Sequence, residues 1–369
     1  MIDNNHAFFD LVRLGIGTEA VSVFQFFDKR SGTAERQDSI DWSAVKNLAE
    51  QQGLSAVVLD GIDKLTEQQR PPKIFLLEWI GETLQGFEYR YDQYRKTIAE
   101  LAGFYNSHDY KMMVLKGYAC SLNWPKPEHR PVGDIDIWQF GQQKEADAAL
   151  SKERGIEIDA SHHHHTVFYW GDFMVENHYD FINVHHHKGN VELEKEFKQL
   201  AVDDTHFVDV NGEKVYLPSP NLHALFLIKH AMTDFTSFSV SLRQILDWAF
   251  HVKKYGEKID WDWLKKVLVQ CHMIDFFNII NSICVEELGY SASIFHGVQF
   301  NPMVKDKVLN DILYPKFSMN EPASLIPRLI YKYKRWKGNG WKHEMCYNES
   351  MSDAFWSGIK NHLRKPRTI

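Results

Sequence analysis

Leu77, Ile80, Leu84, Phe87, Tyr91, Tyr94, Ile98, Leu101 and Tyr105 recur at alternating spacings of three and four residues. That spacing draws one apolar seam along a long helix, with Pro71 and Pro72 standing just before its start. Three tyrosines in the seam favour packing on a neighbouring unit over an independent coiled coil. The pattern changes near residue 111. Lys111 to Leu115 reads as a short strand, followed by Gly117 and a short helix. A loop with Pro125, Pro127 and Pro131 leads to a second strand over Asp134 to Trp138. Residues 142–153 read as helix, and Ile156 to Ile158 as the start of another strand. His163 to Trp170 and Phe173 to Asp180 then alternate around Gly171-Asp172, a two-residue hairpin turn. Beyond Pro218 and Pro220 the helical period returns on Leu222, Leu225, Phe226 and Lys229. It continues on Leu242, Ile245, Leu246 and Ala249, and a third helix starts at Asp260, an expected N-cap.

This order divides the chain into a helical region over 1–108, a mixed α/β unit over 109–217 and a helical region over 218–369, an α+β arrangement. The 369 residues suit two or three such units, and a 44% hydrophobic, 25% charged composition suits a globular protein with a real core. The net charge of -7 argues against general DNA or RNA coating, which needs a clustered basic surface. Cys120, Cys271, Cys284 and Cys346 have no metal-ligand spacing and read as reduced thiols of a cytoplasmic protein. The first residues lack a basic segment leading into a long apolar run, so no signal peptide is expected. No stretch reaches the roughly 20 apolar residues that would cross a bilayer.

The chemistry concentrates in LKGYACSLNWPKPEHRPVGDIDIW, residues 115–138. On a strand, alternate side chains share a face, which sets Asp134 and Asp136 side by side with Cα atoms about 6.6 Å apart while Ile135 and Ile137 enter the core. Two adjacent carboxylates repel unless a cation joins them. Oxygen ligands of this kind suit Mg²⁺, which binds through one or two carboxylates plus substrate phosphates. An isolated D-x-D is most often only a solvated strand edge. Here it has a setting: Gly117 allows close backbone approach to a phosphate at a helix start. Gly133 directly precedes the carboxylates, and Lys116 and Arg130 bring positive charge, Arg130 with a two-pronged donor face.

Strand, glycine turn, helix and a D-x-D strand together resemble the polymerase β-like nucleotidyltransferase superfamily. More narrowly, LKG followed by RPVGDIDI resembles the uncharacterised nucleotidyltransferases found widely in bacteria. The resemblance covers roughly residues 110–290, because L-x-x-I-L-D-W-A from Leu242 to Ala249 also fits. It implies a mixed-sheet catalytic core that moves a nucleoside monophosphate from an NTP such as ATP to an unknown acceptor, a small molecule, protein or RNA end, releasing pyrophosphate. It further implies two Mg²⁺, or Mn²⁺, on Asp134 and Asp136, with Lys116, Gly117, Arg130 and Gly133 facing the nucleotide. A third carboxylate is expected on a neighbouring strand, to complete the metal site or act as base. Glu176 is the candidate: the hairpin pairs Trp170 with Phe173 and so sets Glu176 opposite Val167 and His178 opposite His165, a register that a slip of one residue would undo. Asp180 is the reserve. Tyr118 stands where many superfamily members carry a serine. The alternative function is a catalytically inactive nucleotide- or partner-binding protein on the same fold.

The histidine runs His162 to His165 and His185 to His187 raise a zinc reading, but no cysteine or acidic partner stands at a defined spacing from them. A second reading places His165 or His178 beside the active site, and a third makes them ordinary surface or core residues. A P-loop, a dinucleotide fingerprint and a G-x-S-x-G elbow are all absent. In the C-terminal region, Lys229, His230 and Arg243 either reach the nucleotide from a closing helical bundle or have local roles, Arg243 pairing with Asp247 at i,i+4. The stretch from Arg328 to Lys337 mixes basic and aromatic residues. It reads as a solvated helix face with its aromatics packed inward, or as a surface for an anionic acceptor.

Overall fold

The computed structural model describes residues 4–18, 40–185, 187, 189–203, 206–296, 299, 301–317, 321–347, 349–353 and 356. His186, in the second histidine run, lies outside the described residues. The architecture is α+β, a single six-stranded mixed sheet among helices. The strands are β1 Met113–Val114, β2 Ile135–Trp138, β3 His165–Trp170, β4 Phe173–His178, β5 His206–Val210 and β6 Glu213–Leu217, in the order β3-β4-β2-β1-β6-β5. β2 runs parallel to β4 and antiparallel to β1, β1 runs parallel to β6, and β3-β4 and β5-β6 are antiparallel hairpins.

Strand alternation gives the sheet two different faces. Val114, Ile135, Ile137, Phe168 and Val175 point to one core, closed by Tyr94, Ile98, Leu101 and Tyr105 of the helix Arg90–Asn106 and by Ala146 and Leu150 of the helix Gln143–Arg154. Met113, Leu115 and Trp138 point to the opposite core, with Phe181, Phe197, Phe226 and Ile245. The N-terminal Phe8, Leu11 and Trp79 join the same cluster, so the first helices and the C-terminal helices share one core. Asp136 and Glu176 belong to this second face, under the C-terminal helices.

The tyrosine-rich seam packs as expected only in its second half. Helix Lys73–Thr83 continues through a π-helical turn at Leu84–Tyr89 into Arg90–Asn106. The wider turn rotates the following face relative to the preceding one, so Leu77 and Leu84 remain 57% and 50% exposed while Tyr94 and Tyr105 are fully buried. The stretch Ile156 to Ile158 forms no strand; a lone bridge, Asp159 to Val167, follows it. The helix Leu325–Gly338 buries none of its residues, and Leu329, Ile330 and Tyr333 are at least half exposed, contrary to inward packing of that segment. No helix among the described residues is long and apolar enough to cross a membrane.

After β4 the chain is fastened to the helix Asn190–Asp203 by Glu194, whose carboxylate accepts the amides of Phe181 at 3.0 Å and Ile182 at 3.1 Å. Burial pushes this carboxyl up to about 7, the two amide bonds and Lys198 opposing only in part. A raised folded-state pKa means stability fully present below the ordinary value of 4.5 and lost as pH rises to about 7. Through this group, stability should fall by about 3 kcal/mol across that window. Urea denaturation at a series of pH values should show the slope in the native chain and a flatter profile in Glu194→Gln; parallel profiles would place the cause elsewhere.

Candidate active site

Gly117 sits at φ +48, a backbone conformation costly for other residues. A Cβ there would lie 2.2 Å from the Tyr94 hydroxyl. That hydroxyl donates to the Asp134 carbonyl at 2.9 Å, so one tyrosine of the helical seam joins the glycine turn to the start of the D-x-D strand. The one-turn helix Tyr118–Ser121 follows. The loop before Asp134 is held from the N-terminal side. Asp60 pairs with Lys126 at 2.5 Å and His129 at 2.6 Å, and His129 also meets Glu88 at 3.2 Å.

On β2, Asp136 stands directly beside Glu176 of the parallel β4, and Glu176 pairs with Val167 and His178 with His165 across the hairpin. The hairpin register read from the Gly171-Asp172 turn is the one observed. Asp136 is 1% exposed, and its Oδ1 meets the Lys116 ammonium at 2.8 Å and His178 Nε2 at 3.2 Å. Burial alone would raise its carboxyl, but Lys116 and His178 outweigh it and hold Asp136 well below the ordinary range. Burial likewise opposes charge on Lys116, which Asp136 and Asp134 overcome, raising it. His178 is pushed up to about 9, burial being outweighed by Asp136 and Glu176, the latter 3.6 Å away. Glu176 is lowered despite burial, chiefly by His178. Asp134, partly buried, is raised by burial and by the charge of Asp136.

Two cavities of about 230 Å³ meet around these groups. The first is lined by Lys116, Gly117, Gly133, Asp134, Asp136 and Arg243, among others; the second by Glu176, His178, His164 and Lys229, among others. Lys116, His230 and Asp234 line both. Lys229, His187 and Asn190 also line a third cavity of about 630 Å³, whose wall carries Glu344, Glu349 and Asp353. Lys229 is 3% exposed, and burial pushes it down to about 8.

Arg130 departs from its expected role, and Arg243 follows one of its two readings. Arg130 Nε and Nη2 each donate to Asp247 at 2.8 Å, Nη1 donates to the Pro131 carbonyl at 3.1 Å, and both side chains are buried. The two-pronged face read as a phosphate contact is therefore taken up by a carboxylate of the helix Leu242–Tyr255. Trp124 Nε1 adds a third bond to that carboxylate at 2.8 Å. Arg243, read either as reaching the nucleotide or as the i,i+4 partner of Asp247, lines the first cavity and has no hydrogen bond or ion pair among the described residues. Burial and the charge of Arg130 both lower its pKa. Its stem lies on Gly53, where a Cβ would come within 3.3 Å of Arg243 Cδ. Asp180, the reserve carboxylate, pairs with Lys198.

The donor set suits a divalent cation. Asp136, Glu176 and His178 each offer an atom within 4.8 Å of the others, and Asp134 lines the adjoining cavity. Burying Asp136 and Glu176 side by side calls for positive charge between them, and Lys116 and His178 supply it here.

No curated relative matches the chain. Among solved structures it is similar to an antigenic nucleotidyltransferase-like protein from Paracoccidioides brasiliensis, at 15% identity and a TM-score of 0.35 over 56% of this chain and 98% of that one. The family described as uncharacterised nucleotidyltransferase matches residues 38–289, well over half of the sequence, and the chain belongs to that family.

Proposed function

We propose that the protein transfers a nucleoside monophosphate from an NTP to an acceptor, with Mg²⁺ held by Asp134, Asp136 and Glu176. The observation that carries this reading is the pairing of Asp136 with Glu176 on parallel strands, beside a cavity walled by Asp134, Lys116 and Arg243. Bound there, Mg²⁺ would supply charge stabilisation for phosphoryl transfer. The chain's own part is positioning and electrostatics. Gly133 leaves open room for phosphate against the backbone, and Gly117 lines the same cavity with its Cβ direction closed by Tyr94. Arg243 and Lys116 offset its charge, while Arg130 holds the helix that carries Arg243. Glu176, on the second cavity, would complete the metal site or take the acceptor's proton. The acceptor then approaches from the Glu176 side, where Lys229 leads to the larger, carboxylate-rich cavity.

Calorimetric titration of ATP, GTP, CTP and UTP into the purified chain, with and without Mg²⁺, tests the reading. Binding of at least one NTP that requires the metal is expected. Binding without metal, with no pyrophosphate released in any acceptor extract, would favour an inactive nucleotide-binding relative. No binding of any NTP with Mg²⁺ or Mn²⁺ would overturn the nucleotide site itself.

A further inference from the structure

Beside the carboxylates, the β3-β4 hairpin sets two further imidazoles, His164 and His165, against His178. His165 pairs across the hairpin with His178, and the His164 carbonyl accepts the amides of Tyr179 at 3.0 Å and Asp180 at 3.1 Å. Those bonds pin the start of β3 to the end of β4. Ring centroids stand 4.4 Å apart for His164 and His165, 5.2 Å for His165 and His178, and 5.5 Å for His164 and His178. Each of the three offers a nitrogen within 4.8 Å of the other two.

We propose that His164, His165 and His178 form a site for one borderline transition ion, with Zn²⁺ as the natural probe. His165 is 7% exposed, yet neither of its ring nitrogens makes a hydrogen bond, and the buried Nδ1 of His164 makes none either. Buried polar atoms ordinarily find partners, and an ion within reach of these nitrogens would supply one. His178 Nδ1 stands 3.2 Å from the Asp180 carbonyl. Donation there would be kept as the outer-shell bond typical of metal-bound histidine, while Nε2, 3.2 Å from Asp136 Oδ1, would exchange that contact for the ion as the third ligand. Glu176 Oε1 lies 3.9 Å from His165 Nε2 and stands close enough to orient the rings or close the fourth position. Three imidazoles suit Zn²⁺, whereas Mg²⁺ takes oxygen ligands. The ion would clasp the hairpin beside Glu176. Its ligands exclude Asp134, while His178 and the adjoining Glu176 also stand against Asp136.

The test is zinc content and affinity of the full chain, measured by elemental analysis and by competition with a chromophoric chelator, with circular dichroism as the fold control. One Zn²⁺ per chain is expected. Affinity should fall by about 100-fold or more in His165→Ala and, at the more exposed position, in His164→Ala, since even outer-shell losses cost 10–100-fold. Asp134→Ala should retain the ion, whatever it does to NTP turnover. Absence of stoichiometric zinc in the native chain overturns the proposal. So does unchanged affinity in a folded His164→Ala chain. Loss in Asp136→Asn with retention in both histidine variants would assign the ion to Asp136, Glu176 and His178 instead, and equally overturn it.

Discussion

Asp134→Ala should lower NTP-dependent pyrophosphate release by at least about 10³-fold, the scale at which a single well-placed electrostatic contact acts on a developing charge. Its thermal midpoint should stay within about 2 °C of the native chain, as expected for a partly exposed side chain outside any buried network. The two readouts together make this the informative carboxylate. Asp136 lies two residues on but is wholly buried, with Lys116 and His178 on its Oδ1. Asp136→Ala would leave two cations without their shared partner, and breaking a buried pair costs about 3 kcal/mol or more. Lost activity in that variant could follow from lost structure. Turnover within tenfold of native in Asp134→Ala would remove the paired-carboxylate proposal, whereas a collapse of both activity and midpoint would recast Asp134 as structural.

The parts of the site that are local in sequence were legible, and the parts set by distant contacts were not. Gly171-Asp172 flanked by alternating residues defines one register, which by itself aligns Glu176 with Val167 and His178 with His165. Asp134 and Asp136 share a face by strand period alone. The β5-β6 hairpin was missed although Asn211-Gly212 marks its turn as strongly as any dipeptide does. Its outer positions, among them Phe207 at 56% exposure, blur the apolar alternation that strand reading relies on. The helix Asn190–Asp203 was also passed over, despite Leu193, Phe197 and Ala201 at a spacing of four. The parallel pairing of β2 with β4, which sets Asp136 beside Glu176, is a tertiary fact. So is the partner of Arg130. An arginine before D-x-D looks like a phosphate contact because the carboxylate that takes it up, Asp247, lies 117 residues away. Of the two readings of Arg243, pairing with Asp247 four residues on is the one the structure does not bear out, because Arg130 has taken that carboxylate.

That exchange of partners gives the two arginines opposite expected behaviour. Arg130→Met should destabilise the protein by about 3–5 kcal/mol, because Asp247, 3% exposed, would keep only the Trp124 bond. Arg243→Met removes a guanidinium whose charge is opposed by burial and by Arg130, and which holds no hydrogen bond or ion pair among the described residues. A methionine of similar reach keeps the packing on Gly53, so stability should rise by about 1 kcal/mol. The same change should weaken NTP binding about 10–100-fold, the worth of losing a hydrogen bond to a charged phosphate. Urea denaturation and NTP calorimetry on both variants check the pair. Higher stability with weaker binding is the signature of a cation kept for its ligand, because a structural arginine cannot lose both its charge and its role and leave the fold firmer. Lower stability with unchanged NTP affinity in Arg243→Met would make it an ordinary packing residue. The phosphate would then have only Lys116, already held by Asp136 at 2.8 Å, and Arg130, already held by Asp247 at 2.8 Å, and the first cavity would depend on its metal to hold a triphosphate.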